Sequence, residues 1–260
     1  MQIRDGDQGY SPLIGTYCGS NFPPIITSSG KSLWLRFVSD KNIQYSGFKG
    51  VYNYIPNPID TLPYIPKCEF EITGEQGYIG TENISKVHLD YADKYKRPID
   101  CTWNIRTKEN THIYVQFADY DLKQPNDCNF NYIQIFKEKT DDEHKEEQFC
   151  GAVAENLQIK SNTVYIRFFA DGKGLKSIFA AIFTAYKEQS EGVCEEGEYD
   201  CDDATCISSS LKCNGVKNCK FGWDEETCAA KGSGIPLDFT AAHVIIILIL
   251  LILLSLSTYL

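Results

Sequence analysis

The sequence predicts a mainly β chain of small, disulfide-stapled extracellular modules followed by a single transmembrane helix. Three observations predict it. Apolar residues alternate in short runs separated by Gly, Pro, Asn and Asp, the pattern of strands with one buried face. Six of the eleven cysteines crowd between Cys194 and Cys228 at spacing C-x6-C-x4-C-x6-C-x5-C-x8-C, in a segment too short to fold on a core of its own. Phe239 to Leu260 carries no formal charge, and a helix of that length spans ~33 Å, enough for a hydrocarbon layer of ~30 Å.

The β-rich part is built twice. Gln2-Ile3 and Cys18-Gly19 match Gln134-Ile135 and Cys150-Gly151 at one constant offset, and after a one-residue slip Leu33, Leu35, Phe37 and Asp40 align with Val164, Ile166, Phe168 and Asp171. Ile113, Val115 and Phe117 add a strand in the second copy alone. A β-sandwich is the expected architecture. The second copy resembles a CUB domain. The residues that carry the resemblance are Cys101-Thr102-Trp103-Asn104-Ile105, the run Phe117 to Leu122 before Cys128, Phe149-Cys150-Gly151, and the closing Phe179-Ala180-Ala181-Ile182-Phe183. It is complete over 68–186, with pairs Cys68/Cys101 and Cys128/Cys150. Residues 1–54 carry the second half of the same pattern, in Tyr17-Cys18-Gly19, Ser39-Asp40 and Gly47-Phe48. The offset places the partner of Cys18 before Met1, so the expectation is an N-terminally truncated first CUB domain whose apolar strand faces are uncovered.

Many CUB domains bind calcium through a Glu, an Asp after the third cysteine and an Asp in an S-D element. The resemblance puts Lys123, Asn131 and Asp171 at those positions of the second copy, and a lysine there repels a cation. In the first copy it leaves Asp40, either a calcium ligand or a turn-forming Asp. Residues 55–67 hold four prolines and read as a stiff linker. The N-x-S/T sequon Asn83-Ile84-Ser85 makes Asn83 the candidate glycosylation site.

After a polar link at 187–193 comes the cysteine-dense stretch, 194–228. A zinc site prefers close C-x2-C pairs, often with histidine, and the stretch has neither, so disulfides are favoured. Its tail, Cys213-Asn214-Gly215-Val216-Lys217-Asn218-Cys219 with Asp224-Glu225 and Cys228, resembles an LDL-receptor class A repeat. The resemblance implies pairs Cys194–Cys206, Cys201–Cys219 and Cys213–Cys228. It also implies a calcium cage of Asn214, Asn218, Asp224 and Glu225 side chains plus the carbonyls of Leu211 and Val216. Two of the four carboxylates of the family are amides here and Lys217 adds a cation, so a weak calcium site is expected, with an ion-free disulfide knot as the alternative.

A small-residue juxtamembrane linker at 229–238 leads into the membrane segment, 239–260. No basic cluster follows it, which leaves two readings: a further cytoplasmic tail, or a lipid-anchor signal with small residues at Gly232-Ser233-Gly234. Met1 is not followed by a basic and then apolar leader. The abundance of cysteine argues for an oxidising compartment. The net charge of −10 argues against nucleic acid as a partner. His88, His112, His144 and His243 are scattered, and no nucleophile or H-x3-H motif stands out, so a non-enzyme is expected.

Two CUB modules, a class A repeat and a membrane helix, in that order, are similar to the neuropilin and tolloid-like (Neto) family. What the family implies is a single-pass plasma-membrane auxiliary subunit of kainate-type ionotropic glutamate receptors, in contact with membrane lipid and the channel, with no small-molecule substrate. Two rival readings remain. The stem of a membrane-bound serine protease has the opposite module order. An endocytic or ligand-capturing receptor needs the acids that Asn214 and Asn218 replace.

Overall fold

The computed structural model describes residues 1–21, 23–56, 62–226 and 228. The expected membrane helix at 239–260 and the linker before it lie outside the described residues. Among the described residues, no helix is long and apolar enough to cross a membrane.

In chain order the elements are β1 (Gln2–Asp5), β2 (Leu13–Thr16), β3 (Leu33–Arg36), β4 (Cys68–Thr73), β5 (Gln76–Gly80), α1 (Lys86–Tyr95), β6 (Ile99–Arg106), β7 (His112–Asp121) and β8 (Asn131–Lys137). They continue with β9 (Lys145–Phe149), β10 (Leu157–Ile159), β11 (Thr163–Ala170), β12 (Ile178–Glu188), β13 (Glu198–Asp200) and β14 (Thr205–Ser208). The second copy is a two-sheet sandwich. One sheet runs β4-β6-β11-β8-β9, with β4 parallel to β6 and the rest antiparallel. The facing sheet runs β10-β7-β12, with β5 also paired to β12.

Alternation drives the sandwich together. Trp103 and Ile105 of β6, Ile133 and Ile135 of β8, and Ile166 and Phe168 of β11 are fully buried against Ile113 and Val115 of β7 and Phe179 and Phe183 of β12. The Trp103 and Phe179 rings meet edge to face at 5.2 Å between centroids, an arrangement the ring quadrupoles favour.

No periodic pattern in the sequence marks α1. Its Lys-Val-His-Leu-Asp-Tyr-Ala-Asp-Lys-Tyr run buries only Ala92, so no apolar stripe of period 3.6 marks it. The helix is closed by Lys96 in the left-handed region at φ 51° and carries a Tyr91–Tyr95 ring pair one turn apart, at 4.8 Å.

In the first copy β1, β2 and β3 form a three-stranded antiparallel sheet of order β2-β1-β3. In β3, Leu33 and Leu35 are exposed while Trp34 and Arg36 are half-buried. No second sheet covers Leu13, Leu33 and Leu35 among the described residues, and Cys18 is exposed and unpaired among them. The opposite side of this sheet is anchored on the sandwich. Tyr10 lies under the Arg167 guanidinium, 3.9 Å from ring centroid to Cζ, and its hydroxyl is 3.1 Å from Thr102 Oγ1. Arg4 pairs with Asp142 and Arg36 with Glu143. Gly9 packs so close to the Asp141 backbone that a Cβ would sit 2.8 Å from Asp141 Cα, so no larger residue fits there.

Candidate functional site

The cysteine-dense module is stapled by Cys194–Cys206, Cys201–Cys219 and Cys213–Cys228, and the sandwich by Cys68–Cys101 and Cys128–Cys150. The module is not a bead on a flexible link. Its hairpin of β13 and β14 adds to the sandwich sheet, with β14 pairing antiparallel to the far end of β12 at Tyr186↔Ile207, Lys187↔Cys206 and Glu188↔Thr205. The link expected at 187–193 therefore begins as strand, because the hairpin supplies the ladder partners that extend β12 to Glu188.

A small core seals the seam. Tyr114 and Tyr186 of the sandwich pack on Cys201, Ile207, Leu211 and Cys219 of the module. Burial, then the charges of Glu188 and Asp203, pushes the Tyr186 hydroxyl up to about 12. Lys187 Nζ binds both Glu195 and Glu198 at 2.7 Å across the boundary.

The four side chains of the implied cage lie in one hydrogen-bonded loop. Asp224 is fully buried, and its two oxygens accept the backbone N–H groups of Asn218 at 2.7 Å and Cys219 at 3.1 Å. Glu225 accepts the N–H groups of Asn214 at 2.8 Å and Gly215 at 3.0 Å. The Val216 N–H donates to Asn214 Oδ1 at 2.8 Å, and Leu211 closes a short 3-10 turn in the small core. The two amides also reach outward to Gln76 of β5 and Thr184 of β12, neither of which had any sequence signal.

Of the three positions in the sandwich, Lys123 and Asn131 are joined through Ser177. Ser177 Oγ accepts the Lys123 N–H at 2.8 Å and donates to Asn131 Oδ1 at 2.5 Å. Asn131 is fully buried, Lys123 Nζ is paired with Asp121, and Asp171 caps the following 3-10 turn by accepting the Gly172 N–H at 2.7 Å. In the first copy Asp40 is exposed and accepts the Asn42 N–H at 3.1 Å, the geometry of an Asp-led turn. Asn83 is exposed, and its Oδ1 accepts from Gly80 N at 2.9 Å and from Trp103 Nε1 at 3.0 Å.

The description "CUB domain" matches residues 1–52 and 67–183. The chain belongs to the CUB domain family. Beside the two CUB segments, residues 192–228 match the low-density lipoprotein receptor domain class A. Over nearly its whole length the chain is homologous to the neuropilin and tolloid-like proteins. It is 32% identical over 272 residues to neuropilin and tolloid-like protein 1 of Mus musculus, covering 99% of this chain and 50% of that protein. It is 34% identical over 253 residues to neuropilin and tolloid-like protein 2 of Homo sapiens, covering 95% of this chain and 47% of that protein. The chain thus spans about half the length of these relatives. A solved CUB2 domain of MASP-1 bound to Ca2+ is 19% identical, covering 43% of this chain and 96% of that one at a TM-score of 0.30.

In this class A repeat the donors suit a hard cation, but weakly. Each Asp224 and Glu225 oxygen spends one lone pair on a backbone N–H and retains another, while Asn214 and Asn218 bring oxygen without charge. The second CUB position is poorer still, because a Ser177 bridge joins a lysine backbone to a neutral amide where a carboxylate pair is needed.

Proposed function

We propose that this chain is a non-enzymatic, single-pass plasma-membrane auxiliary subunit that binds a kainate-type ionotropic glutamate receptor through its extracellular CUB modules. The observation that carries the reading is 34% identity over 95% of the chain to a neuropilin and tolloid-like protein. The fold supports it physically. A partner changes channel gating only by binding some channel states better than others, and that needs a surface held in fixed orientation. The sheet that runs unbroken from β7 through β12 into the class A repeat provides one. Asp224 and Glu225, with Asn214, Asn218 and the carbonyls of Leu211 and Val216, would hold calcium weakly and supply charge neutralisation in the repeat.

Ligand capture by the class A repeat is the second reading, and the engagement of Asn214 and Asn218 with the CUB domain weighs against it. Co-expression decides between them. The auxiliary reading expects co-precipitation of the chain with a kainate-type subunit and a shift in desensitisation. Absence of both across all kainate-type subunits would sink it.

A further inference from the structure

The two amides at the class A cage are spent on the neighbouring domain. Asn218 Nδ2 donates to Gln76 Oε1 at 2.8 Å and to Thr184 Oγ1 at 2.9 Å, and Asn214 Nδ2 donates to the same Gln76 Oε1 at 3.1 Å and to Asn218 Oδ1 at 3.0 Å. Asn218 and Thr184 are each 1% exposed, so the bond between them forms out of water. A carboxylate at either position could donate none of them, since an ionised carboxylate only accepts. The amides that leave the cage short of charge are the donors of this contact.

We propose that Asn214 and Asn218, with Gln76 and Thr184, form an interdomain joint that fixes the class A repeat on the second CUB domain without a metal ion. Ser210 Oγ to Glu75 Oε2 at 3.2 Å extends the contact along the same β5 edge, and the β12–β14 ladder and the Tyr114/Tyr186 core lie beside it. Gln76 is the keystone because one carbonyl oxygen serves both amides. Its role is that of an acceptor, which Gln76→Glu preserves and Gln76→Ala removes.

Hydrogen exchange by mass spectrometry on the full chain in detergent, with millimolar calcium or with chelator, tests this. The readout is protection of the amides of Thr205–Ser208 and Tyr186–Glu188. The wild type should show the same protection, within about two-fold, in both conditions. Gln76→Ala should speed exchange at least ten-fold in both, Thr184→Val should speed it less, and Gln76→Glu should match wild type. Retention of Cys194–Cys206, Cys201–Cys219 and Cys213–Cys228 by peptide mapping certifies that the repeat itself is folded. Ten-fold deprotection of the wild type by chelator alone would overturn the proposal. So would an unchanged Gln76→Ala, or a Gln76→Glu that behaves as Gln76→Ala.

Discussion

Asn83 holds a structural cap and is the candidate glycan acceptor, and mutation can separate the two roles. Its Oδ1 faces two groups that can only donate, Gly80 N–H and Trp103 Nε1–H, so the oxygen belongs to the cap and Nδ2 is the atom left for a glycan. Trp103 is fully buried. Asn83→Gln moves the oxygen away and strands the indole N–H, which costs about 1–3 kcal/mol for a buried unsatisfied donor, with up to about 1 kcal/mol more for the lost Gly80 bond. At about 4 °C per kcal/mol for a domain of this size, the CUB domain should melt roughly 4–16 °C lower. Ser85→Ala destroys the same sequon, but Ser85 is exposed and its hydroxyl bonds only the His88 ring at 2.8 Å, so the cost should stay within about 0.5 kcal/mol. Both variants, expressed through a secretory pathway, should lose a glycosidase-sensitive mobility shift, while only Asn83→Gln should lose the melting temperature. A Ser85→Ala protein that keeps the shift would refute Asn83 as the acceptor. Equal melting of the two variants would refute the cap.

Three further outcomes are expected. Arg167→Met breaks the bidentate pair with Asp100, at 2.7 and 2.6 Å, and the stack on Tyr10, and Asp100 is partly exposed, so the loss should be about 2 kcal/mol, read by chemical denaturation. Limited proteolysis should then release residues 1–54 first. Burial raises Tyr10, Tyr120 and Tyr186 to about 12. A raised phenol stabilises the fold fully below the ordinary value of 10.0 and loses that contribution as pH rises toward about 12, so an ultraviolet phenolate titration should show a delayed class of tyrosines whose ionisation accompanies unfolding. Finally, Asn214→Asp with Asn218→Asp returns two charges to the cage and should tighten calcium binding by roughly ten-fold or more in calorimetry; unchanged affinity would show that charge at these positions does not limit the site.

The cysteine framework and the β-repeat were legible because each is written in local spacing: staples close over 12 to 18 residues in the class A repeat, and strand alternation has period two. The helix α1 was not, since one buried alanine leaves no periodic mark. The destination of Asn218 was illegible for a different reason. Its partner Gln76 lies 142 residues earlier, and from sequence alone the amide registers only as a missing carboxylate. The burial of Trp34 and Arg36 has a similar origin, because they face a neighbouring module that periodicity within one strand does not encode.

Strand β12 is the spine of two modules at once: it pairs with β7 and β5 along one stretch and with β14 along its last residues. Under load this makes the class A repeat the short arm of a lever whose fulcrum is the end of that strand. A tug at Cys228 is borne by three crosslinks and a ladder, so tilt at one end becomes rotation of the whole CUB sandwich. The molecule transmits torque where a string of independently tethered beads would only stretch.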